Sequence, residues 1–372
     1  MASIRSSKTT LSLFLSSLLL PIASLAAGPV IPSNFPDPCL AQSKAGEWFA
    51  FSTQSGNINI QVASSPDFAS WTLHQGYDAL PNLPAWTVAA PNAKVWAPDV
   101  NPLPNGEGWI MYFAAVGASH PLKHCIGTAT SPNIAGPYTP NPEPLICDLA
   151  RGGNIDPNLF VDPVNGNSYL VYKTDGNAIG HGGACGNTAA PVAPTPLYLQ
   201  QLSNTDLVTP IGQPVLLASN VNPAGSFQYD GPNTERPSIA YRNETYYLLY
   251  NSECYAEESY RIRYVACESG TDTLTGIVGC NWAALKGAQQ SLPQNTLLMT
   301  GDIVSGSALL APGSMDTSAD SQKIVFHGDT NPAWFDAGHE VNGQPVARQR
   351  GMYAALIEYG NDTGDLTVVS LM

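Results

Sequence analysis

Asn34-Phe35-Pro36-Asp37-Pro38 is the first of five similar openings in this chain, each followed by a strand, a turn and an aromatic strand. The other four openings are Ala97-Pro98-Asp99, Ile155-Asp156-Pro157, Glu235-Arg236-Pro237 and Pro312-Gly313-Ser314, of which the last has no carboxylate. Aromatic and β-branched runs such as Trp109-Ile110-Met111-Tyr112-Phe113 alternate with turns, and helical periodicity is nearly absent. Self-similarity of this kind predicts a repeat architecture.

The repeat predicts an all-β chain folded as a five-bladed β-propeller. Each unit covers roughly 60 to 80 residues, enough for the four strands of one blade. The innermost strand of every blade lines the central channel, so the acidic residues at the openings should meet at one mouth of that channel. These residues are Asp37, Asp99, Asp156 and Glu235. No linker or change in composition interrupts residues 27–372, so they are predicted to form one catalytic domain.

Residues 1–26 are predicted to be a secretory signal peptide. Arg5 and Lys8 give a basic start, residues 11–20 form a short apolar run, and Ser24-Leu25-Ala26 supplies small residues for cleavage. The run is too short and too interrupted for a membrane span, which needs about 20 apolar residues. The mature protein is therefore expected to be secreted and extracellular.

Cysteines and glycosylation sequons agree with export. The two sequons are Asn243-Glu244-Thr245 and Asn361-Asp362-Thr363. The seven cysteines are Cys39, Cys125, Cys147, Cys185, Cys254, Cys267 and Cys280. Disulfide bonds are expected, but an odd number leaves at least one thiol unpaired, and the sequence does not identify it. No two cysteines have C-x-x-C spacing, which disfavours a metal site built from them.

The overall charge limits the partners of this protein. The net charge of −14 disfavours nucleic acid and anionic membranes, because both require basic patches. Acidic pectin would be repelled as well. Only 12% of the residues are charged, while 16 Tyr, 7 Trp and 10 Phe provide rings that suit the faces of neutral sugars. A neutral oligosaccharide or polysaccharide is the expected partner, bound by a monomer.

Carboxyl groups gathered in a channel mouth indicate cleavage of glycosidic bonds. That reaction needs one carboxyl group to protonate the leaving oxygen and a second to activate water or to attack directly. A third carboxylate nearby can raise the pKa of the acid by repulsion between like charges and can hold it in position. An Asp beside Pro is also an ordinary turn former, but recurrence at successive openings favours a functional role.

Three of the openings carry a resemblance to glycoside hydrolase family 43, the arabinanases, arabinofuranosidases and β-xylosidases. The similar segments are Asn34-Phe35-Pro36-Asp37-Pro38, Gly153-Asn154-Ile155-Asp156-Pro157 and Thr234-Glu235-Arg236-Pro237, and the resemblance spans about residues 29 to 360. It implies that Asp37 is the general base, that Asp156 tunes the pKa of the acid and orients it, and that Glu235 is the general acid. It also implies hydrolysis with inversion. Arg236 departs from the family pattern, in which a small residue more often follows the Glu.

The same resemblance implies further site residues. Trp96 would form an aromatic wall of the sugar pocket, and Asp99 would bind sugar hydroxyls, although Trp96 also suits a buried position in a blade. Arg350 would bind sugar hydroxyls and lower the pKa of Asp37, and Arg348 is the alternative candidate for that role. His327 falls where the family often has a histidine that binds water or an ion in the central channel. A structural Ca²⁺ there is one expectation and a satisfied core histidine the other, and no cofactor is required.

The sequence is compatible with several activities. The substrate is expected to be an α-L-arabinofuranoside, a β-D-xyloside or both, as part of an oligosaccharide or polysaccharide of the plant cell wall. Residues 176–196, rich in Gly, Ala and Pro, favour attack at chain ends because they can wall off one side of the funnel. The alternatives are an endo-1,5-α-L-arabinanase, a retaining glycosidase and a non-catalytic propeller lectin. A WD-repeat scaffold is disfavoured, because its repeat is about 40 to 45 residues long.

Overall fold

The computed structural model describes residues 27–90, 92–120, 122–221, 230–268, 275–289, 295–336, 340–341, 344–360 and 365–372. Within these ranges the chain forms five four-stranded antiparallel sheets, in which each strand pairs with the next one in its sheet. The predicted five-bladed β-propeller is confirmed. The predicted signal peptide and the sequon at residues 361–363 lie outside the described residues. Among the described residues, no helix is long and apolar enough to span a membrane.

The blades follow one another along the chain. Blade one contains β1 (Cys39–Gln42), β2 (Trp48–Ser52), β3 (Gln61–Ser65) and β4 (Thr72–Leu73). Blade two contains β5 (Trp96–Pro102), β6 (Trp109–Val116), β7 (His124–Ser131) and β8 (Thr139–Pro140). Blade three contains β9 (Asn154–Val161), β10 (Ser168–Thr174), β11 (Leu197–Leu202) and β12 (Pro210–Ala218). Blade four contains β13 (Thr234–Arg242), β14 (Thr245–Ser252), β15 (Arg261–Glu268) and β16 (Thr296–Leu298).

Short elements surround the last blade and the loops. A hairpin of β17 (Ile303–Val304) and β18 (Ser307–Ala308) precedes blade five. Blade five contains β19 (Gly313–Thr317) and β20 (Lys323–Asp329) and, after the hairpin of β21 (Glu340–Val341) and β22 (Gln344–Pro345), β23 (Arg350–Tyr359) and β24 (Leu366–Leu371). The α-helices are α1 (Trp282–Gln289) and α2 (Ala333–Asp336). Single turns of 3₁₀-helix cover Leu149–Arg151, Gly176–Ile179, Ala184–Gly186 and Gly276–Gly279.

The core lies between neighbouring blades. Each blade is covered by another on both faces, so every residue of β6 and of β14 is buried, and these strands read as continuous apolar runs rather than as an alternation. Five apolar clusters fill the spaces between blades. Phe51 of blade one packs in the same cluster as Met111 of blade two, for example, and Val325 of blade five joins Trp48 of blade one. The ring of blades is therefore held by side-chain packing at every interface.

The segment before β1 closes the ring onto blade five. Ile31 and Met352 exchange two backbone hydrogen bonds of 3.2 and 2.9 Å, and the Phe35 N–H donates to the carbonyl of Arg350 at 2.7 Å. Deeper in the channel, the Leu40 N–H donates to Oδ2 of Asp316 on β19 at 2.8 Å. The first and last blades are thus joined by backbone and side-chain hydrogen bonds as well as by packing.

The innermost strands share a backbone feature that directs side chains into the channel. One residue near the start of each has a positive φ: Asp37 at 54°, Ala97 at 46°, Asp156 at 57°, Arg236 at 47° and Ser314 at 54°. In blades two to five the strand pairing shifts register at this residue, as in a β-bulge. L-residues adopt this conformation at a cost of about 1–2 kcal/mol each, so five equivalent occurrences mark a property of the fold.

The disulfide bonds of the structure identify the unpaired cysteine. The pairs are Cys125–Cys147, Cys185–Cys254 and Cys267–Cys280, and Cys39 is free and buried. The prediction of disulfide bonds is confirmed. The Cys185–Cys254 bond joins the loop at residues 176–196 to the segment after β14 in blade four, so that loop is fixed at both ends and in its middle.

Candidate active site

Asp37 accepts hydrogen bonds from three side chains, of blades one and five, at one mouth of the channel. Thr53 Oγ1 donates to Oδ2 at 2.7 Å, Ser314 Oγ donates to Oδ1 at 2.8 Å, and Arg350 Nη1 lies 3.4 Å from Oδ1. Burial alone would raise the pKa of Asp37, but the Arg350 guanidinium and the two hydroxyl donors outweigh it and hold the pKa well below the usual range. Asp37 is therefore an ionised carboxylate, suited to accept a proton from water.

Glu235 is held by a buried lysine and a buried tyrosine. Lys173 Nζ, on β10, donates to Oε1 at 2.8 Å, and the Tyr260 hydroxyl donates to Oε2 at 3.1 Å. Lys173 also forms an ion pair with Asp175 at 3.2 Å. Burial lowers the pKa of Lys173, but the charges of Glu235, Asp175 and Asp156 outweigh burial and raise it, so the ammonium is charged. Both oxygens of Glu235 are thus fixed in direction.

Asp156 joins the Glu235 group from blade three. Its Oδ2 accepts the Arg236 N–H at 2.9 Å, and Arg236 directly follows Glu235 in the chain. Burial raises the pKa of Asp156 to about 7; Lys173 acts against this shift, and the charge of Glu235 adds to it. The carboxyl group of Asp156 therefore retains its proton up to near neutral pH.

The structure therefore brings together Asp37, Asp156 and Glu235, as predicted, around residues that the sequence analysis missed: Lys173, Tyr260, Thr53 and Ser314. Lys173 could have been found, because a lysine directly after the apolar run 168–172 is unusual for a buried strand. Thr53, Tyr260 and Ser314 carry no comparable signal. Ser314 is the residue at the opening that lacks a carboxylate, and its hydroxyl contacts the carboxylate of Asp37 instead.

The choice between two arginines is decided by their contacts. Arg350 pairs with Asp37 at 3.4 Å, whereas Arg348 forms an ion pair with Asp329 at 2.6 Å and stacks on Trp334. The geometry therefore assigns the pairing with Asp37 to Arg350.

Trp96 is the first residue of β5 and is half-buried, with its indole stacked on the ring of His124 at a centroid distance of 3.8 Å. Burial lowers the pKa of His124 to about 4, so the ring beneath the indole is neutral. His124 thus fixes the plane of Trp96. The structure gives Trp96 a rigid position, and its contact with a sugar stays a prediction.

Asp99 does not share the mouth with Asp37. It lies two residues beyond the positive-φ position of blade two, with Oδ2 accepting the Leu159 N–H at 2.7 Å and Oδ1 accepting Asn158 Nδ2 at 3.1 Å. It lines a cavity of about 630 Å³ together with Asp316 and Asn158, and Asp37, Asp156 and Glu235 are absent from the lining of that cavity. The prediction that Asp99 meets the other three at one mouth is wrong, because the openings are offset: Glu235 precedes the positive-φ residue and Asp99 follows it.

His327 lies beside Asp37, where the sequence predicts a bound water or ion. The Asp37 N–H donates to Nδ1 of His327 at 3.1 Å, so the proton of the neutral imidazole sits on Nε2. Burial, followed by the charge of Arg350, lowers the pKa of His327 well below its ordinary value. An N–H group at Nε2 suits a water oxygen and does not ligate a cation. Among the described residues Nε2 has no acceptor, so these contacts fit a water molecule and do not fit direct ligation of Ca²⁺ by the imidazole.

A channel mouth that holds one ionised carboxylate and, apart from it, two further carboxyl groups beside a buried ammonium contains the groups that cleavage of a glycosidic bond requires. Comparison with known families agrees. The model of the family described as "Glycosyl hydrolases family 43" matches residues 26–277, and the chain belongs to that family.

The most similar proteins found differ in activity. The β-D-galactofuranosidase xynD of Aspergillus niger is 24% identical over 260 residues, covering 66% of this chain and 64% of that protein's length. A thermostable family-43 glycoside hydrolase has a TM-score of 0.65 at 21% identity, covering 92% of this chain and 96% of the other. A family-43 β-xylosidase/α-arabinofuranosidase from a compost microbial metagenome, in complex with xylotriose, has a TM-score of 0.60 at 16% identity, covering 93% and 98%. These likenesses support the propeller fold.

Proposed function

We propose that this chain is a secreted glycosidase that hydrolyses plant cell-wall polysaccharides or their oligosaccharides with inversion, releasing α-L-arabinofuranosyl or β-D-xylosyl units from chain ends. The observation that carries the reaction is the contrast between carboxyl groups. The pKa of Asp37 lies well below its usual range, whereas that of Asp156, beside Glu235, is raised to about 7. Carboxyl environments that differ in this way provide a base and an acid at the same pH.

The roles follow from the contacts. Asp37 removes a proton from water as the water oxygen attacks the anomeric carbon, and Glu235 delivers a proton to the departing glycosidic oxygen. Asp156 orients the acid through its hydrogen bond to the Arg236 N–H. Arg350 keeps Asp37 ionised and lies where it can reach a sugar hydroxyl, and Trp96 offers the face of its indole to the ring.

Action at chain ends is supported by the loop at residues 176–196. The disulfide Cys185–Cys254 and the hydrogen bonds from Asn187 Nδ2 to the carbonyls of Ala193 and Pro232, each 2.8 Å, tie this loop to itself and to blade four. A fixed loop on one side of a funnel blocks the path of a long chain. An endo-1,5-α-L-arabinanase needs an open path instead.

Secretion is supported by two features of the described chain. Three disulfides are typical of an oxidising compartment. Asn243, in the first sequon, is exposed at the turn between β13 and β14, where a glycan can be accommodated. A monomer as the active unit is part of this proposal.

The substrate is tested by a panel measured side by side. Nitrophenyl α-L-arabinofuranoside, nitrophenyl β-D-xyloside, nitrophenyl β-D-galactofuranoside and linear arabinan separate the candidates, and the galactofuranoside covers the activity named for the Aspergillus niger relative. We expect release of single sugars from the first two and no rapid fall in the viscosity of arabinan. A rapid fall in viscosity with few free sugars would establish endo action.

The mechanism is tested on the best substrate of that panel. Proton NMR of the first sugar released, read before mutarotation, should show inverted configuration; retained configuration would disprove the roles of Asp37 and Glu235. Asp37→Asn should lower kcat by about 10²–10⁴-fold. Asp67→Asn is the matched control, because Asp67 is an aspartate of the same blade whose carboxylate accepts hydrogen bonds from its own turn, at Ser65, Ala69 and Ser70.

A further inference from the structure

Arg236, the residue that departs from the family pattern, lies at the centre of the propeller. Its side chain is 2% exposed although it belongs to blade four. Nη1 donates to the carbonyl of Pro157 at 3.0 Å, and Nη2 donates to the carbonyls of Pro38 and Pro98 at 3.2 and 3.3 Å. These prolines hold the same position in blades three, one and two, directly after the positive-φ residue. One guanidinium therefore joins the innermost strands of four blades.

Each catalytic carboxyl group is one residue away from a bond made by this guanidinium. Asp37 precedes Pro38, Asp156 precedes Pro157, and Glu235 precedes Arg236 itself. The backbone N–H of Arg236 also donates to Asp156 at 2.9 Å. A shift of the guanidinium would therefore move the base, the acid and the residue that orients the acid relative to one another.

The guanidinium also lies among groups that would otherwise suit a cation. The sulfur of Cys39 and one oxygen each of Asp99 and Asp316 lie within 4.8 Å of one another. Burial lowers the pKa of Arg236, but the charges of Asp316, Asp156 and their neighbours outweigh burial and raise it. The cluster already faces a permanent positive charge, and a divalent ion there would be repelled by it.

We propose that Arg236 is the resident cation of the central channel, which takes the place of a bound metal ion and positions Asp37, Asp156 and Glu235 through the backbone of their blades. The positioning of Asp37, Asp156 and Glu235 rests on the acid and base roles proposed above. The assignment of Arg236 as the cation of the channel does not. Arginine suits this place because its planar, always charged group donates in several fixed directions at once. Lysine would keep the charge and lose the simultaneous bonds to three carbonyls.

The first experiment uses the unaltered protein and calcium as the probe. Thermal unfolding is measured after treatment with EDTA and again after addition of calcium chloride. We expect the same Tm in both conditions, because the channel already contains its cation. A fall in Tm of several degrees with EDTA that calcium restores would overturn the proposal, whatever the enzyme's substrate proves to be.

The second experiment compares Arg236→Lys with Arg263→Lys. Arg263 is a buried arginine of the same blade that pairs with Asp230, so its variant reports the general effect of disturbing a buried guanidinium. For Arg236→Lys we expect kcat on an unactivated oligosaccharide to fall by about 100-fold, as for a misplacement of about 1 Å, with KM little changed. The loss on a nitrophenyl glycoside, which needs less help from the acid, should be smaller.

The comparison between the two substrates separates positioning from general destabilisation. Arg263→Lys should leave the ratio of activities on the two substrates as in the unaltered protein, and an unchanged ratio in Arg236→Lys would overturn the proposal. If Arg236→Lys does not fold, Arg236→Gln, which keeps donors to the carbonyls without the charge, is measured in the same way. Glu235→Gln run alongside tests the acid itself: if it shows no dependence on the leaving group, the proposed function fails, while the calcium measurement still tests Arg236.

Discussion

Replacing Lys173 by methionine removes the only ammonium that contacts Glu235 among the described residues. Lys173 is fully buried, 2.8 Å from Glu235 and 3.2 Å from Asp175. At an effective dielectric constant of about 20, these contacts correspond to gross attractions of about 6 and 5 kcal/mol. Desolvation of the buried ammonium offsets part of this, so we expect Lys173→Met to lower the free energy of unfolding at pH 8 by about 3–5 kcal/mol, the range for breaking a buried pair.

This loss should depend on pH in a defined direction. A carboxyl group whose pKa is raised on folding favours the folded state at low pH, and that contribution is lost as the pH rises through the folded pKa, which is about 7 for Asp156. Lys173 lowers this pKa, so its removal raises it further. At pH 5 the carboxyl group of Asp156 is protonated, so part of the uncompensated negative charge disappears and the deficit should shrink between pH 8 and pH 5.

Thermal unfolding at both pH values measures this effect. For the 346 residues of 27–372, an unfolding entropy of about 2.1 cal/mol/K per residue gives a Tm shift of about 1.4 °C per kcal/mol, hence about 4–7 °C at pH 8. Lys286→Met is the matched control, since Lys286 is a buried lysine paired with Asp230 at 2.5 Å, and Asp230 keeps Arg263 at 3.8 Å as a second cation. Equal Tm deficits at pH 5 and pH 8 in Lys173→Met would refute the reasoning.

Three further measurements test other parts of the molecule. Glu235→Gln should lower activity on an unactivated oligosaccharide by about 10²–10⁴-fold and on nitrophenyl glycosides by much less; equal losses would remove its role as the acid. Burial, followed by the charge of Asp316, raises the pKa of Asp99 to about 7, so the unaltered protein should lose stability as the pH rises from 5 to 8. Asp99→Asn should flatten that decline by up to about 2.7 kcal/mol, which corresponds to the two pH units between 5 and the pKa. A parallel decline in both proteins would contradict this pKa. Replacing Cys185 and Cys254 by serine opens a loop of 69 residues and should cost about 4 kcal/mol, with faster attack on arabinan; an unchanged rate on arabinan would argue against the loop as a barrier.

The fold and three catalytic candidates were accessible from the sequence because both depend on local, recurring patterns. Strand signals and proline-rich openings repeat at similar intervals, and the openings that carry Asp37, Asp156 and Glu235 resemble family motifs. The partners of these residues were not accessible in the same way. Thr53, Ser314 and Tyr260 reach the site from three different blades, and their contacts follow from the closure of the ring.

The error at Asp99 has a structural cause. An acidic residue near a proline looks the same in the sequence whether it precedes the positive-φ residue, is that residue or follows it. Glu235, Asp37 and Asp99 take these three positions in turn, and only the backbone conformation distinguishes them. The disulfide pairing was open for a similar reason, because it depends on which Cα atoms lie within bonding distance in the folded chain.

The five positive-φ residues separate what belongs to the fold from what belongs to the chemistry. They are Asp37, Ala97, Asp156, Arg236 and Ser314, with one backbone conformation and five different contributions to the channel. Ala97 brings no polar side chain, yet it adopts the same conformation, so the strain of about 1–2 kcal/mol at each position arises from turning the innermost strand at the channel mouth. The conformation therefore supplies five inward directions, and the side chain at each determines its contribution. These are an ionised carboxylate at Asp37, a hydroxyl that donates to it at Ser314, a carboxyl group with a pKa of about 7 at Asp156 and a buried guanidinium at Arg236.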